Sequence, residues 1–397
     1  MAVSGCGGST SGDDDDGPDS GALTDAATSV DGQVDPPDGA VSPDGAVTTP
    51  DSGPPPLLAE LGDGTVTLAH NHPCAPALGL ASGTSGAPMI VHTTIEQGIR
   101  VARLSGNTWT PVGGILNGVG ESPNVNICPA LVVTPAGVPY VAYATDMANT
   151  ARVRVRRFVA GNWEDALALD AAPGQFAPAL DLDLVPDQNG LPVVVMGEFS
   201  NNTYRLTVRT LVGNAFVPLG GTFLTQVFTV RAAVRPDGSV LVFSMSSPTP
   251  GRVLKVSVNS AGTWSELPDV TSDAVRQLVP TNIDVTASSI LLSYYKTGPG
   301  ELHTARFDTG SWTELNPTTD QGQDTSLVLT GATSFVHVFE LPPTRVDVRR
   351  HNGTSFAAPV TIPIAMANAH LVRAGNGDLL MGYAANASAH AGRLNPP

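Results

Sequence analysis

A short segment that recurs six times along the chain limits the folds this sequence can adopt. Each copy contains an apolar run that ends in an arginine, a turn with Gly or Asn, and an aromatic residue that opens a second run. The copies read RVARLSGNTWTPV, RVRRFVAGNWEDAL, LTVRTLVGNAFVPL, LKVSVNSAGTWSEL, LHTARFDTGSWTEL and VDVRRHNGTSFAAPV. All four tryptophans of the chain share one position, which phenylalanine fills in two copies; these aromatics are Trp109, Trp163, Phe216, Trp264, Trp312 and Phe356. Such self-similarity indicates a repeat architecture.

A second type of hairpin precedes each copy. It has two apolar runs of strand length around a turn rich in Gly, Pro, Asp or Asn, as in PALVVTPAGVPYVAYA and RAAVRPDGSVLVFSMS. These features are typical of a β-hairpin. Seven such hairpins are present, but only six of them are followed by a complete second hairpin. The repeat unit therefore contains four strands.

The arginine that ends the third run of each unit confirms the period. It is replaced by Val258 in the fourth unit, and the remaining members are Arg103, Arg157, Arg209, Arg306, Arg350 and Arg393. With Val258 included, successive members lie 43 to 54 residues apart. Repeats of this length with four strands each indicate an all-β fold, a β-propeller of four-stranded antiparallel blades. We predict seven blades over residues 57–397, with six as the alternative.

The seventh unit ends after its third strand, at GRLNPP. A candidate for the missing fourth strand is LAEL, residues 58–61, because it matches WSEL and WTEL of two complete units and places Leu58 in the aromatic position. We predict that this N-terminal strand completes the last blade. Closure of the ring would remove open sheet edges, which otherwise promote aggregation.

The repeat aromatics have two interpretations. As packing residues, they would bury their rings between neighbouring blades, with each indole N–H donating to a nearby carbonyl. As functional residues, they would form a set of equivalent sites on which sugars stack. We favour the packing interpretation.

Residues 1–56 differ in composition from the rest of the chain. They hold eleven Asp and no Lys, Arg or Glu, which leaves −5 of the net charge of −16 for the remainder. They also lack aromatic residues and repeat the sequence PDGAV. Such a segment cannot bury enough apolar surface to offset its conformational entropy, so we predict a disordered acidic tether. The overall charge argues against binding to nucleic acid, because few basic residues are available to contact phosphates.

The start of the tether resembles a bacterial lipobox. In VSGC, small residues precede Cys6, and an Asp-, Gly- and Pro-rich segment follows it, as in outer-membrane lipoproteins of myxobacterial type. The resemblance implies a lipid anchor at Cys6 and a location on the cell surface. Since only five residues precede Cys6, this interpretation requires translation to begin further upstream. The alternative is an ordinary cysteine in a polar tail.

The Trp-bearing hairpins resemble two families. NSAGTWSEL and DTGSWTEL are similar to degenerate Asp-boxes of sialidase-like propellers, and NTWTPVGG and NAFVPLGG resemble the Trp–Gly repeats of seven-bladed bacterial lectins. A sialidase requires an arginine cluster, a Tyr nucleophile beside a Glu, and an acidic proton donor. Glycosidases generally use two opposed carboxylates. The predicted first strands contain three carboxylates, Asp181, Asp183 and Asp284. Asp181 and Asp183 share one strand face, and we interpret this pair as solvated or ion-binding rather than catalytic.

The three cysteines suggest a disulfide. Cys74 and Cys128 lie at equivalent places, before the first strands of adjacent units, and an oxidising compartment would favour a bridge between them. The alternative is a zinc site formed by His70, His72 and both cysteines, because these ligand types suit zinc. We favour the disulfide, and predict neither a metal nor a cofactor.

Together these features predict an extracytoplasmic, surface-anchored binding or scaffold module of the cell envelope. We expect its ligand to be a glycan or a protein, its contact with a membrane to be limited to a lipid anchor at Cys6, and the protein to be a monomer. A sialidase-like hydrolase is the alternative, and a purely structural envelope protein is a third hypothesis. No nucleophile elbow, HExxH motif or phosphate loop is present in the sequence.

Overall fold

The computed structural model of the protein describes most of residues 57–397. Within that span it leaves out residues 63–67, 70–75, 80–86, 95–97, 119–120, 124–126, 148–149, 169–178, 201–202, 221–226, 247–251, 274–277, 297–299, 316–322, 342–344, 365, 375 and 396–397. The predicted tether, the lipobox cysteine and the segment HNHPC, residues 70–74 with His70, His72 and Cys74, all fall outside the described residues. The predictions made for them therefore stay predictions.

The described elements are strands. Two of them precede the first blade: β1 (Leu58–Glu60) and β2 (Leu68–Ala69). Blade 1 contains β3 (Ala77–Gly79), β4 (Met89–Thr93), β5 (Ile99–Ser105) and β6 (Thr108–Pro111). Blade 2 contains β7 (Ser122–Pro123), β8 (Ala130–Val133), β9 (Pro139–Met147), β10 (Thr150–Val159) and β11 (Asn162–Ala168). Blade 3 contains β12 (Ala179–Pro186), β13 (Pro192–Ser200), β14 (Thr203–Val212) and β15 (Ala215–Pro218).

The remaining strands form four further blades. Blade 4 contains β16 (Val227–Val234), β17 (Val240–Ser246), β18 (Arg252–Ser260), β19 (Thr263–Glu266) and β20 (Thr271–Asp273). Blade 5 contains β21 (Leu278–Val285), β22 (Ile290–Lys296), β23 (Glu301–Asp308) and β24 (Ser311–Glu314). Blade 6 contains β25 (Gln323–Leu329), β26 (Phe335–Leu341), β27 (Arg345–His351) and β28 (Val360–Thr361). Blade 7 contains β29 (Ala367–Arg373), β30 (Leu379–Ala385) and β31 (Ser388–Leu394).

The seven sheets confirm the predicted seven-bladed propeller. In each blade the strands pair in chain order and antiparallel, with the first strand at one edge. The short strands β7 and β20 add to this pattern by pairing with β9 and β18. Apolar clusters lie between neighbouring sheets, and one of them joins residues of blades 6 and 7. Within the described part of the chain, no helix is long and apolar enough to cross a membrane.

Strand β1 closes the ring, as the sequence predicts. It pairs antiparallel with β31, and Leu58 lies opposite Leu394. Leu394 directly follows Arg393, just as the partners of most repeat aromatics directly follow the arginine position. Leu58 therefore occupies the aromatic position of blade 7, where it is buried.

Each repeat tryptophan fastens its blade to the one before it. The indole N–H groups donate to main-chain carbonyls at the end of the preceding fourth strand, and we call this set of bonds the outer seam. Its members are Trp109 to Leu61 (3.0 Å), Trp163 to Val112 (2.9 Å), Trp264 to Leu219 (2.9 Å) and Trp312 to Pro268 (2.8 Å). The aromatics thus have the packing role that we favour from the sequence. Because Leu61 follows β1, the outer seam also joins blade 7 to blade 1.

A glycine with positive φ receives the indole in three of these contacts. Gly62, Gly113 and Gly220 have φ values of +98°, +67° and +72°. A Cβ atom at these positions would lie 2.8, 2.8 and 2.6 Å from the indole nitrogen of the next blade. The chain needs glycine there both for its backbone conformation and for the close approach of the ring. This accounts for the Gly in the TPVGG and VPLGG sequences.

The third-strand arginines do not all occupy one register. Arg103 pairs with the residue after Trp109, and Arg306 with the residue after Trp312. Arg209 instead pairs with Pro218, two residues after the aromatic, because blade 3 has one more residue between the arginine and Phe216. A shift of one residue turns a side chain to the other face of a sheet. The equivalence that the sequence suggests for Arg209 is therefore wrong.

Three side chains hold β1 against blade 7. Nδ1 of His390 lies 2.8 Å from a carboxylate oxygen of Glu60, and the Tyr383 hydroxyl donates to the other oxygen. The rings of Tyr383 and His390 are stacked, with centroids 5.3 Å apart. The hydrogen bond to Glu60 raises the pKa of His390 above its ordinary value of 6.5. A similar arrangement lies in blade 5, formed by Tyr294, His303 and Glu314.

We expect Gly113→Ala to destabilise the protein by about 2 kcal/mol, because it combines a strained φ with a clash against Trp163. Gly114→Ala is the matched control, since no atom lies within 4 Å of its added Cβ. Urea unfolding of both variants measures the effect. Equal unfolding midpoints for the two variants would contradict the role given to the positive-φ glycine.

The His390–Glu60 pair should make the closing strand sensitive to pH. The pKa of His390 is higher in the folded state, so its stabilising contribution is complete below about pH 6.5 and is lost as the pH rises through the folded-state value. We expect Glu60→Gln to lower the free energy of unfolding by about 0.5–1 kcal/mol more at about pH 6 than at about pH 9. Chemical unfolding at both pH values measures this. In a His390→Gln background the difference between the two pH values should vanish.

Candidate functional site

The central channel of the described structure contains a cavity of about 540 Å³. It is lined by the first strands of all seven blades, which are β3, β8, β12, β16, β21, β25 and β29. Blades 1 and 2 present apolar residues such as Leu78 and Val132. The other blades add polar side chains, namely Asp183, Arg231, Asn282, Asp284, Ser326, His370 and Arg373.

Polar side chains join successive first strands around this channel. Each accepts a hydrogen bond from a main-chain N–H of the next blade, and we call this set of bonds the channel seam. Its described members are Asp181 with Val230 (3.0 Å), Asp183 with Ala232 (2.8 Å), Asp284 with Leu329 (2.7 Å), Ser326 with Leu371 (2.9 Å) and His370 with Leu78 (3.4 Å). A first strand has a free edge, and its amides need acceptors. The channel seam supplies them.

The first-strand carboxylates are structural, which corrects the interpretation of Asp181 and Asp183 as a solvated or ion-binding pair. One oxygen of Asp183 accepts from Leu184 N–H at 2.8 Å and the other from the next blade. Asp284 is bound in the same way, by Val285 N–H and by the next blade. Burial raises the pKa of both carboxyls, although the amides that bind them oppose the shift. Carboxylates with both oxygens occupied are poorly placed for acid–base catalysis.

Arg231 is one of two arginines that line the channel, and it binds residues of the neighbouring blades. Its Nη1 donates to Asp181 at 2.8 Å, and its Nε donates to the carbonyl of Thr281 in blade 5 at 3.1 Å. The guanidinium therefore connects three successive blades. Sequence reasoning placed the useful arginines on the third strands and missed this one, which lies on a first strand.

His370 lies on the first strand of blade 7, and the charge of Arg231 acts on its imidazole. Burial, with the positive charge of Arg231 as a second cause, lowers the pKa of His370 to about 4. The imidazole is therefore neutral at pH 7. Because its Nδ1 accepts the Leu78 N–H, the ring proton lies on Nε2.

The repeat arginines and aromatics lie away from the channel. Arg157 binds Asn214 of the next blade at 3.1 Å, Arg306 binds Asp308, and Arg393 lies 3.2 Å from Asp378. None of the cavity-lining residues is Trp, Tyr or Phe. The repeated residues therefore build the scaffold, and the site residues are those that do not repeat.

One pair in the structure has the residue types of a sialidase nucleophile. The Tyr383 hydroxyl donates to Glu60, but Tyr383 is only 1% exposed and packs in the apolar cluster of blades 6 and 7. Burial raises the pKa of Tyr383, which disfavours the phenolate. This pair serves ring closure rather than chemistry.

The structure describes only one of the two cysteines that we predict to form a disulfide. Cys128 lies at the channel and contributes to its lining, whereas its predicted partner Cys74 is outside the described residues, as are His70 and His72. The disulfide therefore stays a prediction. Among the residues that the structure describes, no group of three His, Cys, Asp or Glu side chains is arranged to hold a metal ion.

Sequence reasoning singled out the three aspartates but missed Arg231, Ser326 and His370. A signal for them was present, because each is a polar residue inside a mainly apolar first strand. The strand sequences RAAV, SLVL and AHLV contain them. A polar residue in that position either binds the next blade or faces the channel, and several do both.

The fold and the channel define a seven-bladed β-propeller with a ligand-sized central cavity. No protein-family model matches the sequence, and no curated protein matches it. Among solved structures, an ulvan lyase of polysaccharide lyase family PL25, bound to a saccharide, is similar with a TM-score of 0.59 and 12% identity over 85% of this chain and 95% of that one.

Two further solved structures resemble the chain at this level. The complex of BBS1N with ARL6DN gives a TM-score of 0.55 and 14% identity over 86% of this chain and 97% of that one. The polysaccharide lyase Uly1 gives a TM-score of 0.54 and 9% identity over 86% and 97%. At these identities the similarity establishes the fold alone.

We expect Asp183→Asn to lower the free energy of unfolding by about 1–3 kcal/mol, because an amide nitrogen would face a main-chain N–H that needs an acceptor. Asp269→Asn is the control, since Asp269 is 55% exposed and its ion pair with Lys255 is 3.9 Å long. Chemical unfolding compares the two variants. If Asp183→Asn lowered the free energy of unfolding no more than the control does, the Asp183 carboxylate would not contribute to the channel seam.

Proposed function

We propose that residues 57–397 form a non-catalytic binding module whose ligand, a glycan, enters the central channel. The observation that carries this proposal is the channel itself, since its volume of about 540 Å³ lies within the usual range of about 300–1,000 Å³ for small-ligand sites. Its two sides differ in chemistry. A sugar ring has apolar C–H groups and many hydroxyls, and it can use both the aliphatic side of blades 1 and 2 and the polar side of blades 3 to 7.

The channel supports binding better than hydrolysis. A glycosidase needs two carboxyl groups free to act on opposite sides of the bond. Here Asp181, Asp183 and Asp284 each use both oxygens to accept main-chain amides. Release of methylumbelliferone from a panel of glycosides, abolished by Asp181→Asn in a folded variant, would instead support the hydrolase.

A glycan array probed with the full chain tests the binding module. We expect saturable binding that Asn282→Phe removes, because Asn282 lines the cavity and the added ring would occupy it. Thr313→Phe, on the exposed fourth strand of blade 5, is the matched control and should bind as the unaltered chain does. Blank arrays at high protein concentration would contradict the glycan proposal. Pull-down from envelope extracts would then test whether the ligand is a protein.

We also propose that the module is exported and anchored to the cell surface through Cys6. The lipobox-like VSGC and the acidic segment after it support this together, since a long polar tether lets an anchored domain reach ligands away from the membrane. Export would place Cys74 and Cys128 in an oxidising compartment, where a disulfide between them is stable. This bridge would fasten the segment after the closing strand to blade 2.

An intact mass of the protein purified from membranes of the producing bacterium, without reductant, examines the anchor and the bridge. We expect an acylated Cys6, and a mass lower by two hydrogens because Cys74 and Cys128 are joined. An unmodified Cys6 would overturn the anchor. Two free thiols would overturn the bridge, and a native mass with zinc that is lost on denaturation would support the metal site.

A further inference from the structure

Four Asn-Gly pairs occur in the sequence, at residues 117–118, 189–190, 352–353 and 376–377. In such a pair the main-chain nitrogen of the glycine can attack the side-chain carbonyl of the asparagine and release ammonia. Glycine favours this attack because it has no side chain to hinder the approach. We propose that the fold directs the reaction to Asn352, so that the turn of residues 351–355 in blade 6 is a self-modifying site. This inference is independent of the ligand of the channel.

The nitrogen that attacks is held by a histidine. The N–H of Gly353 donates to Nδ1 of His351 at 3.0 Å. Because Nδ1 accepts this bond, the ring proton of the neutral imidazole lies on Nε2. Burial and the charge of Arg306 lower the pKa of His351, so the imidazole is neutral at pH 7 and its Nδ1 can take up a proton. The base and the N–H that it must deprotonate are therefore already in contact.

Neighbouring rings fix this imidazole in place. It stacks on the Phe335 ring and meets the Phe356 ring edge-on, with centroids 4.7 Å apart in both cases. His351 is buried, and its main chain is bridged to that of Phe356, which closes the turn at its base. A base held within hydrogen-bond distance of the proton that it removes is the first requirement of general base catalysis.

The carbonyl that is attacked is bound by three donors. Oδ1 of Asn352 accepts from the Thr354 N–H, the Thr354 hydroxyl and the Ser355 N–H, each at 2.9 Å. Negative charge develops on this oxygen as the Gly353 nitrogen attacks, and donors already in place stabilise that charge. Asn352 is exposed, so ammonia can leave to solvent and water can enter.

The chemistry needs only water as a co-reactant. The Gly353 nitrogen bonds to Cγ of Asn352 while its proton passes to Nδ1 of His351. The proton then passes to the side-chain amide nitrogen, which leaves as ammonia, and a cyclic succinimide remains. Water opens this ring at one of its two carbonyls. The product is an aspartate or its isomer, in which the main chain runs through the side-chain carboxyl, and either one adds a negative charge to the turn.

The other three pairs have a different environment. The N–H groups of Gly190 and Gly377 donate to main-chain carbonyls three residues earlier, both at 2.9 Å, and a carbonyl is not a base at neutral pH. The N–H of Gly118 donates to a carboxylate oxygen of Glu121 at 2.9 Å. A carboxylate is a weaker base than an imidazole. Only the pair at 352–353 combines an imidazole on the nucleophile with three donors on the carbonyl.

Peptide mapping by mass spectrometry tests the proposal on the full chain, incubated at neutral pH and physiological temperature. We expect Asn352 to be converted about tenfold or more faster than Asn189 and Asn376, because general base catalysis acts at Asn352 alone among these three. We also expect Asn352 to react faster in the folded chain than in the same chain denatured in urea. The denatured chain has neither the positioned base nor the three donors.

Two variants separate the parts of the site. His351→Phe keeps an aromatic ring between its neighbours but removes the base, and it should slow conversion of Asn352 about tenfold or more. Thr354→Val removes one donor of similar shape and should slow conversion by a smaller factor. Asn189 and Asn376 of the same molecules are internal controls, and their rates should not change in either variant.

Three results would overturn the proposal. The first is a rate at Asn352 in the folded chain that is equal to or below the rate in urea, and this comparison requires no variant. The second is a His351→Phe chain that converts Asn352 as fast as the unaltered chain does. The third is conversion of Asn352, Asn189 and Asn376 at one common rate, because the local sequence rather than the fold would then set the reaction.

Discussion

The ring depends on how the free edge of each first strand is satisfied. An edge strand presents main-chain N–H groups that need acceptors, and seven such edges meet at the channel of this protein. The channel seam supplies these acceptors from short side chains of the neighbouring blade. Asp183 accepts from Ala232 N–H, and Asp284 accepts from Leu329 N–H. The outer seam repeats the principle at the other side of each blade, where an indole N–H meets a carbonyl. Neighbouring blades are thus joined by oriented bonds as well as by apolar packing.

This solution also shapes the chemistry that remains for a ligand. An acceptor that holds a neighbouring blade cannot also serve as a catalytic base, so stability and catalysis compete for the same carboxylates. A guanidinium has several N–H groups, and Arg231 divides them between Asp181 and the Thr281 carbonyl. A neutral imidazole divides its two nitrogens in the same way. The polar side chains of the lining therefore serve the closure of the ring as well as the cavity.

The sequence predicts the scaffold well and the site poorly, for a physical reason. Blades pack through equivalent contacts, so Trp163, Trp264 and their counterparts recur once in each blade and reveal the blade count, and Leu58 reveals the closing strand. The channel seam uses a different residue in each blade, Asp, Ser or His, because any short acceptor satisfies an N–H, and no period results. Arg209 shows that the repeat motif does not fix the face on which a side chain lies. One inserted residue reverses that face and leaves the motif recognisable.

Blade 7 is built from both ends of the described chain, and this fixes the order of events during synthesis. Glu60 and His390 are 330 residues apart in sequence, so the closing strand leaves the ribosome long before its partner β31 exists. Six blades can assemble in the order in which they are translated, while β1 still lacks β31, the strand with which it pairs. Bringing such distant segments together carries the largest loop-closure entropy in the fold, so we expect the pairing of β1 with β31 to form last. A ribosome that stops a few dozen codons early would release a chain with nearly all of its blades and an open ring.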